Sequence, residues 1–198
     1  LLDTLKGPLA GMNVRRKLEA KFSFFSNDKR TILVTCHRRE SFGDGFRNIS
    51  AALIELAQRS DVQILFPMHR NPNVRATFAA LGSYSNVILV EPLDYLDFVF
   101  AQSKSHFVVT DSGGVQEEAP SLGKPVLVLR DLTERPEAVA AGTAKLVGTD
   151  TAKIVLEASR LLDDSEAYAS MSTIHNPFGD GTASDQIITF LTRDFEDE

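Results

Sequence analysis

Between Thr110 and Ala138 the sequence reads TDSGGVQEEAPSLGKPVLVLRDLTERPEA, and its residue types suit an anionic ligand that also carries hydroxyl groups. A strand that ends in Thr-Asp-Ser-Gly-Gly and passes at once into Val-Gln-Glu-Glu-Ala puts the backbone N–H groups of Ser112, Gly113 and Gly114 at a helix start. Unpaired N–H groups there attract anions, phosphate above all. Glycine lets the backbone approach a ligand that a Cβ would block, and the Ser112 hydroxyl can either cap the helix or bond a phosphate oxygen. Two carboxylates, Glu117 and Glu118, follow within about one helical turn. They would repel a bare phosphate unless one is aimed elsewhere, and a vicinal diol such as ribose is a natural target. An ordinary strand-turn-helix with a glycine turn remains the alternative reading of Ser-Gly-Gly taken alone.

Four more loops carry unusual residues. In TCHRRESFGDGF, His37, Arg38, Arg39 and Glu40 precede Gly43 and Gly45, making a second candidate phosphate site with a group that titrates near neutrality; ion pairs of the arginines with Glu40 and Asp44 are the plainer reading. FPMHRNPNVR supplies His69 and Arg70. EPLDYLDFVF offers Tyr95 and Phe98, either core residues at helical spacing or a ring that stacks on a base. LRDLTERPEA carries Arg130, Glu134, Arg135 and Glu137, where Arg135 is placed either to clamp a diphosphate from the side opposite the glycines or to form a surface salt bridge. Cys36 and His37 do not make a nucleophile and its base, because neighbours on a strand point to opposite faces. The four histidines lack metal spacing and one cysteine adds no cluster, so neither a metal nor another cofactor is expected.

These loops need a scaffold that brings them to one edge. Short β-branched runs predict strands over Thr31 to Thr35, Val62 to Pro67, Val87 to Glu91, His106 to Thr110, Pro125 to Leu129 and Ala144 to Val147. Between the first two, Phe46, Ile49, Leu53, Leu56 and Ala57 share one helix face, as Ile154, Leu161 and Leu162 do later. Strand and helix in alternation predict an α/β fold, a Rossmann-like parallel sheet with helices on both faces. Ligands of such sheets bind outside the carboxyl ends of the strands, which is where the five loops lie. The segment before Thr31 breaks the alternation: Gly7, Pro8 and Gly11 precede a possible helix over Val14 to Phe25. NPFGDGTASDQI, from Asn176 to Ile187, reads as a glycine turn that leads into a terminal helix, Ala183 to Phe195.

Composition limits the partners. The chain has 198 residues, 43% of them hydrophobic, enough to bury a sizeable core. A formal net charge of −6 argues against a nucleic-acid or membrane surface as the main partner, so a bound anion must be held by oriented amides and a few chosen cations. One cysteine, no signal peptide and no membrane-spanning run lead us to expect a cytoplasmic protein.

Taken in order, VTCHRRESFG, PMHRNPNVR, TDSGGVQEEAPSLGKPVLVLRDLTERPEAV, AGTAKLVGTD and HNPFGDGTASDQI resemble the C-terminal domain of bacterial non-hydrolysing UDP-N-acetylglucosamine 2-epimerases. The resemblance runs from Thr31 to Leu191 and implies the C-terminal half of a GT-B-like two-domain fold, with the nucleotide-sugar in the cleft between the halves. It implies that residues 1–30 connect to a missing N-terminal domain, that residues 31–198 form the UDP-binding domain, and that the terminal helix crosses back. It further implies an active-site role for His37 near the diphosphate and phosphate binding by Ser112, Gly113 and Gly114. Glu118 is then the ribose acid, Leu93 and Phe98 lie beside the uracil, and Arg135 belongs to the UDP pocket. Arg38, Arg39 and His69 match positions that meet an allosteric activator in some relatives. The implied reaction interconverts UDP-N-acetylglucosamine and UDP-N-acetylmannosamine by elimination of UDP and re-addition, in a homodimer that serves polysaccharide biosynthesis. The carboxylates that the family uses for proton transfer are expected in the absent domain, which makes this chain alone inactive. A stand-alone UDP-sugar-binding module and the donor domain of a GT-B glycosyltransferase are the alternatives. Without its partner surface, the terminal helix is expected to pack loosely or to swap between chains.

Overall fold

The computed structural model describes residues 1, 4, 7, 11–25, 28–173 and 176–193. Six strands form one sheet: β1 Arg30–Thr35, β2 Val62–Pro67, β3 Val87–Val90, β4 Phe107–Thr110, β5 Val126–Val128 and β6 Ala144–Leu146. Their order is β3-β2-β1-β4-β5-β6, and every neighbouring pair is parallel. Each predicted strand is present, with ends moved by a residue or so. Glu91, for example, falls outside β3, whose register with β2 ends at Pro67 opposite Val90.

Among the described residues the α-helices are α1 Met12–Lys21, α2 Asp44–Ala57, α3 Pro72–Phe78, α4 Tyr95–Lys104, α5 Gly113–Glu118, α6 Pro136–Ala141, α7 Thr151–Asp163, α8 Ser165–Ser172 and α9 Ala183–Arg193. Strand alternation sorts the core into two layers. Ile32, Val34, Ile64, Phe66, Phe107 and Val109 face α2, α3 and α7, whereas Leu33, Leu65, Val108, Val126 and Val128 meet residues of α1, α4, α5 and α6. On α2 the predicted apolar face, Phe46, Ile49, Leu53, Leu56 and Ala57, is buried throughout.

Strand order reverses between β1 and β4, where one chain path leads outward to β2 and β3 and the other to β5 and β6. At such a switch point the following loops part and leave a crevice at the strands' carboxyl ends. Here the two loops are those that begin with Cys36 and Asp111.

The leading segment folds as α1 over Met12–Lys21, ending earlier than the expected Val14 to Phe25, and it is packed on the domain. Leu18 and Phe22 are buried in the second layer, and the Phe22 ring lies 5.4 Å from that of Phe100. Lys21 holds Asp97 of α4. At the other end, α9 forms with none of its residues buried, and Ile187, Ile188, Phe190 and Leu191 are exposed. This fits loose packing against the described residues; Asp194 and Phe195, the last two residues of the expected helix, lie outside them. Among the described residues no helix is long and apolar enough to cross a membrane.

Candidate functional site

β4 ends at Thr110, and two residues later the backbone turns into α5. Ser112 is the N-cap residue in extended conformation, yet no side chain caps the helix. Its hydroxyl therefore does not cap the helix. Its N–H is also taken, because it donates to Thr110 Oγ1 at 2.9 Å. The N–H groups offered by this turn are thus those of the helical first turn, at Gly113 and Gly114, rather than Ser112's own. Thr110 is fixed in turn by a 2.5 Å contact with Thr35 Oγ1 across the switch point.

Arg135 stands over this turn. A Cβ added to Gly113 would have Arg135 Cζ and Nη2 as its nearest neighbours, both at 3.8 Å, while one added to Gly114 would meet open space. The guanidinium is held from one side by Nε to Glu117 and by Nη1 donating to the Glu134 carbonyl at 3.0 Å. A buried amide fixes the loop that carries it: Gln116 Nε2 donates to the Ser112 carbonyl at 3.1 Å, and Gln116 Oε1 accepts from Thr133 Oγ1 at 2.7 Å. The same Thr133 oxygen accepts from the Arg135 N–H at 3.0 Å.

The two acids of α5 both have side-chain partners. Glu117 pairs with Arg135. Glu118 accepts one hydrogen bond on each oxygen, from Tyr95 Oη and from Gln102 Nε2, both at 3.2 Å. Each carboxylate oxygen keeps a lone pair, so the group can still accept from a diol. Tyr95, expected from sequence to be core or base-stacking, is in fact exposed and bonded to this acid, and its hydroxyl is made harder to ionise by burial and by Glu118.

Beside the turn lies a cavity of about 250 Å³ lined by Thr35, Cys36, His37, Pro67, His69, Pro92, Leu93, Phe98, Ser112 and Val115. It brings together five residues that the sequence separately points to: His37, His69, Leu93, Phe98 and Ser112. The rings of His37 and His69 are stacked with centroids 5.7 Å apart, and His69 Nδ1 accepts from the Asn71 N–H. Arg38 is half-buried next to His37, whereas Arg39 is exposed.

Sequence reasoning does not single out Asp111. It is fully buried; its Oδ2 accepts from the N–H groups of His37 and Arg38, each at 2.7 Å, and its Oδ1 lies 3.0 Å from His37 Nδ1. Oδ1 has no hydrogen bond of good geometry, so the contact is an ion pair; the Asp111 side chain raises the His37 pKa above its ordinary value, against an opposing effect of burial. Burial pushes the neighbouring Cys36 thiol well up, with Asp111 adding to the effect, so the thiol stays protonated. Cys36 lies beyond β1 and lines the same cavity as His37, so strand alternation does not separate the pair as expected; it is the protonated thiol that argues against a nucleophile.

At the second candidate phosphate turn the glycines serve the backbone and its packing. Gly43 is the N-cap of α2 with φ of 83°, a left-handed conformation that favours glycine. Gly45 packs against Ser41 and Thr149, which an added Cβ would meet at 3.4 Å. The helix also begins with Asp44, which is paired with Arg47 and would oppose an anion. Glu40 pairs with Arg130, which also holds Glu134. Among the described residues no three His, Cys, Asp or Glu side chains are grouped to hold a metal.

Comparison with known proteins agrees with this geometry. A family model described as UDP-N-acetylglucosamine 2-epimerase matches residues 2–192. The UDP-N-acetylglucosamine 2-epimerase of Escherichia coli K12 is 54% identical over 180 residues, which are 90% of this chain and 48% of the relative. The crystal structure of the Neisseria meningitidis UDP-GlcNAc 2-epimerase, bound to UDP-GlcNAc, superposes with a TM-score of 0.90 at 47% identity, over 96% of this chain and 52% of that one. A Staphylococcus aureus MnaA structure with UDP gives a TM-score of 0.81 at 45% identity, over 90% and 48% respectively. The chain thus spans about half the length of the curated relatives it matches.

Proposed function

The chain belongs to the UDP-N-acetylglucosamine 2-epimerase family, and from that premise we propose that it supplies the UDP-binding half of a GT-B-like enzyme that interconverts UDP-N-acetylglucosamine and UDP-N-acetylmannosamine. The observation that carries the reading is the convergence at the switch point. A helix start with two glycines and no cap lies under Arg135, next to an acid with spare acceptor capacity and a cavity that holds His37. In this reading the N–H groups of Gly113 and Gly114, with Arg135, take the diphosphate, assisted by the Ser112 hydroxyl. Glu118 accepts from the ribose, and Leu93 and Phe98 flank the uracil.

The reaction proceeds by loss of UDP from C1 with removal of the C2 proton, followed by re-addition after the proton is exchanged to the other face. Its demands are a group that moves the C2 proton and stabilisation of the charge on departing UDP. The second is what these residues offer, through the α5 amides, Arg135 and protonated His37. The carboxylates near the turn are committed: Glu117 to Arg135, Glu118 to Tyr95 and Gln102, Glu134 to Arg130. Proton transfer at C2 therefore calls for residues of an N-terminal domain, to which residues 1–30 connect, and the chain alone is inactive. Arg38, Arg39 and His69 form the adjoining activator site. The complete enzyme is a cytoplasmic homodimer that feeds polysaccharide biosynthesis.

Calorimetric titration with UDP tests the reading. Binding should weaken by on the order of 1 to 3 kcal/mol in Glu118→Ala and again in Arg135→Ala, the worth of a charged hydrogen bond, with no epimerisation by the chain alone. UDP binding that neither substitution weakens, or turnover by this chain at the rate of a complete relative, would sink it.

A further inference from the structure

Asp111 follows β4 with a carboxylate that is wholly buried, at the switch point where β4 lies beside β1. A buried charge is costly unless each oxygen is supplied with hydrogen. Oδ2 is supplied twice, by the N–H groups of His37 and Arg38. Oδ1 is buried without a hydrogen bond of good geometry, and the ring nitrogen placed to supply one is His37 Nδ1, 3.0 Å away as an ion-pair contact.

We propose that Asp111 is a positioning residue for the diphosphate chemistry: it takes the Nδ1 hydrogen of His37, fixes Nε2 as the nitrogen open to the cavity, and holds the ring as an imidazolium for the departing phosphate. The proposal rests on the nucleotide site described above. With Nδ1 committed to Asp111, the opposite ring nitrogen is left to a cavity that His37 itself lines. Among the described residues the charged and titratable groups around His37 are Asp111 after β4, Cys36 and Arg38 on its own loop, and His69 after β2. Of these Asp111 alone is a carboxylate, and Arg38 works against the imidazolium. The energetic direction agrees on both partners. Burial raises the Asp111 pKa, but the His37 ring beside it and the two N–H groups outweigh it, so the net direction is down, while that of His37 is up. A raised histidine keeps its charge to higher pH and loses it as pH rises through the folded value. UDP affinity should therefore fall through the same window.

The test compares the wild-type chain with Asp111→Asn. The amide oxygen can still accept from the two backbone N–H groups, but its NH₂ now faces Nδ1 and favours the neutral ring protonated on Nε2. Ring ¹⁵N shifts of histidine-labelled protein, assigned with His37→Gln, are followed against pH, and UDP is titrated calorimetrically over the same range. We expect neutral His37 to carry its hydrogen on Nδ1 in the wild type. In Asp111→Asn it should carry it on Nε2 and titrate at lower pH, with UDP bound about tenfold more weakly at neutral pH, as for one lost charged hydrogen bond. A wild-type ring protonated on Nε2 when neutral overturns the proposal, as does a folded Asp111→Asn with unchanged titration and unchanged pH dependence of binding. If the variant does not fold, the wild-type tautomer decides. If the wild type binds no UDP at any pH, the nucleotide site and the role assigned to Asp111 both fall, while the ring shifts still report whether the pair exists.

Discussion

Replacing Gly113 with alanine should separate binding from folding. Gly113 is the first residue of α5, and its φ is not among the positive ones of the chain, so alanine can adopt the backbone without strain. The new methyl would meet Arg135 Cζ and Nη2 at 3.8 Å, an ordinary van der Waals contact. Because glycine loses more backbone freedom on folding, replacing it with alanine at a compatible position gains roughly 0.4 to 1 kcal/mol. Thermal unfolding should thus be unchanged or raised by about 2 to 4 °C, the shift per kcal/mol for a domain of this size. Binding should move the other way. A methyl on Gly113 in contact with the guanidinium would take space that a phosphate bridging the first-turn N–H groups and Arg135 needs. Loss of one charged hydrogen bond, about 1.5 to 3 kcal/mol, corresponds to a UDP affinity on the order of 10 to 100 times weaker. Differential scanning calorimetry and UDP titration on the same preparation check the pair of outcomes. Undiminished affinity in a variant of normal stability would refute the placement of the diphosphate, and a lowered melting temperature would refute the steric reasoning.

Three further outcomes concern the scaffold. Asn86 is buried and its Nδ2 donates to the carbonyls of Ala57 and Val62 at 2.9 Å, so Asn86→Ala leaves acceptors without partners; a loss of about 2 kcal/mol, or roughly 4 to 8 °C in melting temperature, should be seen by calorimetry. Gly148 has φ of 63°, and a Cβ there would stand 2.6 Å from Asp131 Oδ1. Gly148→Ala should therefore lower the urea midpoint, in contrast to Gly114→Ala, whose Cβ meets nothing. Asp61 is held well below the usual carboxylate range by Arg59 first and then by Arg30, in a network that also ties Arg59 to Asp163. A depressed carboxylate stabilises the fold above its unfolded pKa and loses that contribution as pH falls through the folded value. Denaturant titrations of Asp61→Asn should show a shallower acid limb and, because the group is 38% exposed and screened, a loss of no more than about 1 kcal/mol at neutral pH.

The strands are legible in the sequence because each is a short β-branched run bounded by loop residues, and α2 because its apolar positions recur at helical spacing. The order of the strands is not. Nothing local in β1 or β4 says that they are neighbours, so the switch point, and with it the pairing of the His37 and Asp111 loops, emerges only from the sheet. Asp111 is hidden for the same reason: in sequence it is an acid inside a candidate phosphate-binding turn, and its partner lies 74 residues away. Ser112 departs from expectation on a finer scale. A threonine two residues before the N-cap serine is visible in the sequence, but not that its hydroxyl would accept the serine N–H. By contrast, the conflict of two glutamates beside an anion site is visible, and Arg135, Tyr95 and Gln102 resolve it. The leading helix stops short of its expected end because Phe22, Phe24 and Phe25 continue the apolar pattern after the backbone has turned, each ring packing on the next.

Where the diphosphate sits is decided by titrating ¹⁵N-labelled chain with UDP and following the amide signals of Gly113 and Gly114, with uridine as the control that lacks phosphate. UDP should shift both amides saturably, together with the Arg135 side-chain Nε–H, whereas uridine should leave them in place. UDP that binds without moving these amides, or that moves them no more than uridine does, would contradict a phosphate cradle at the start of α5.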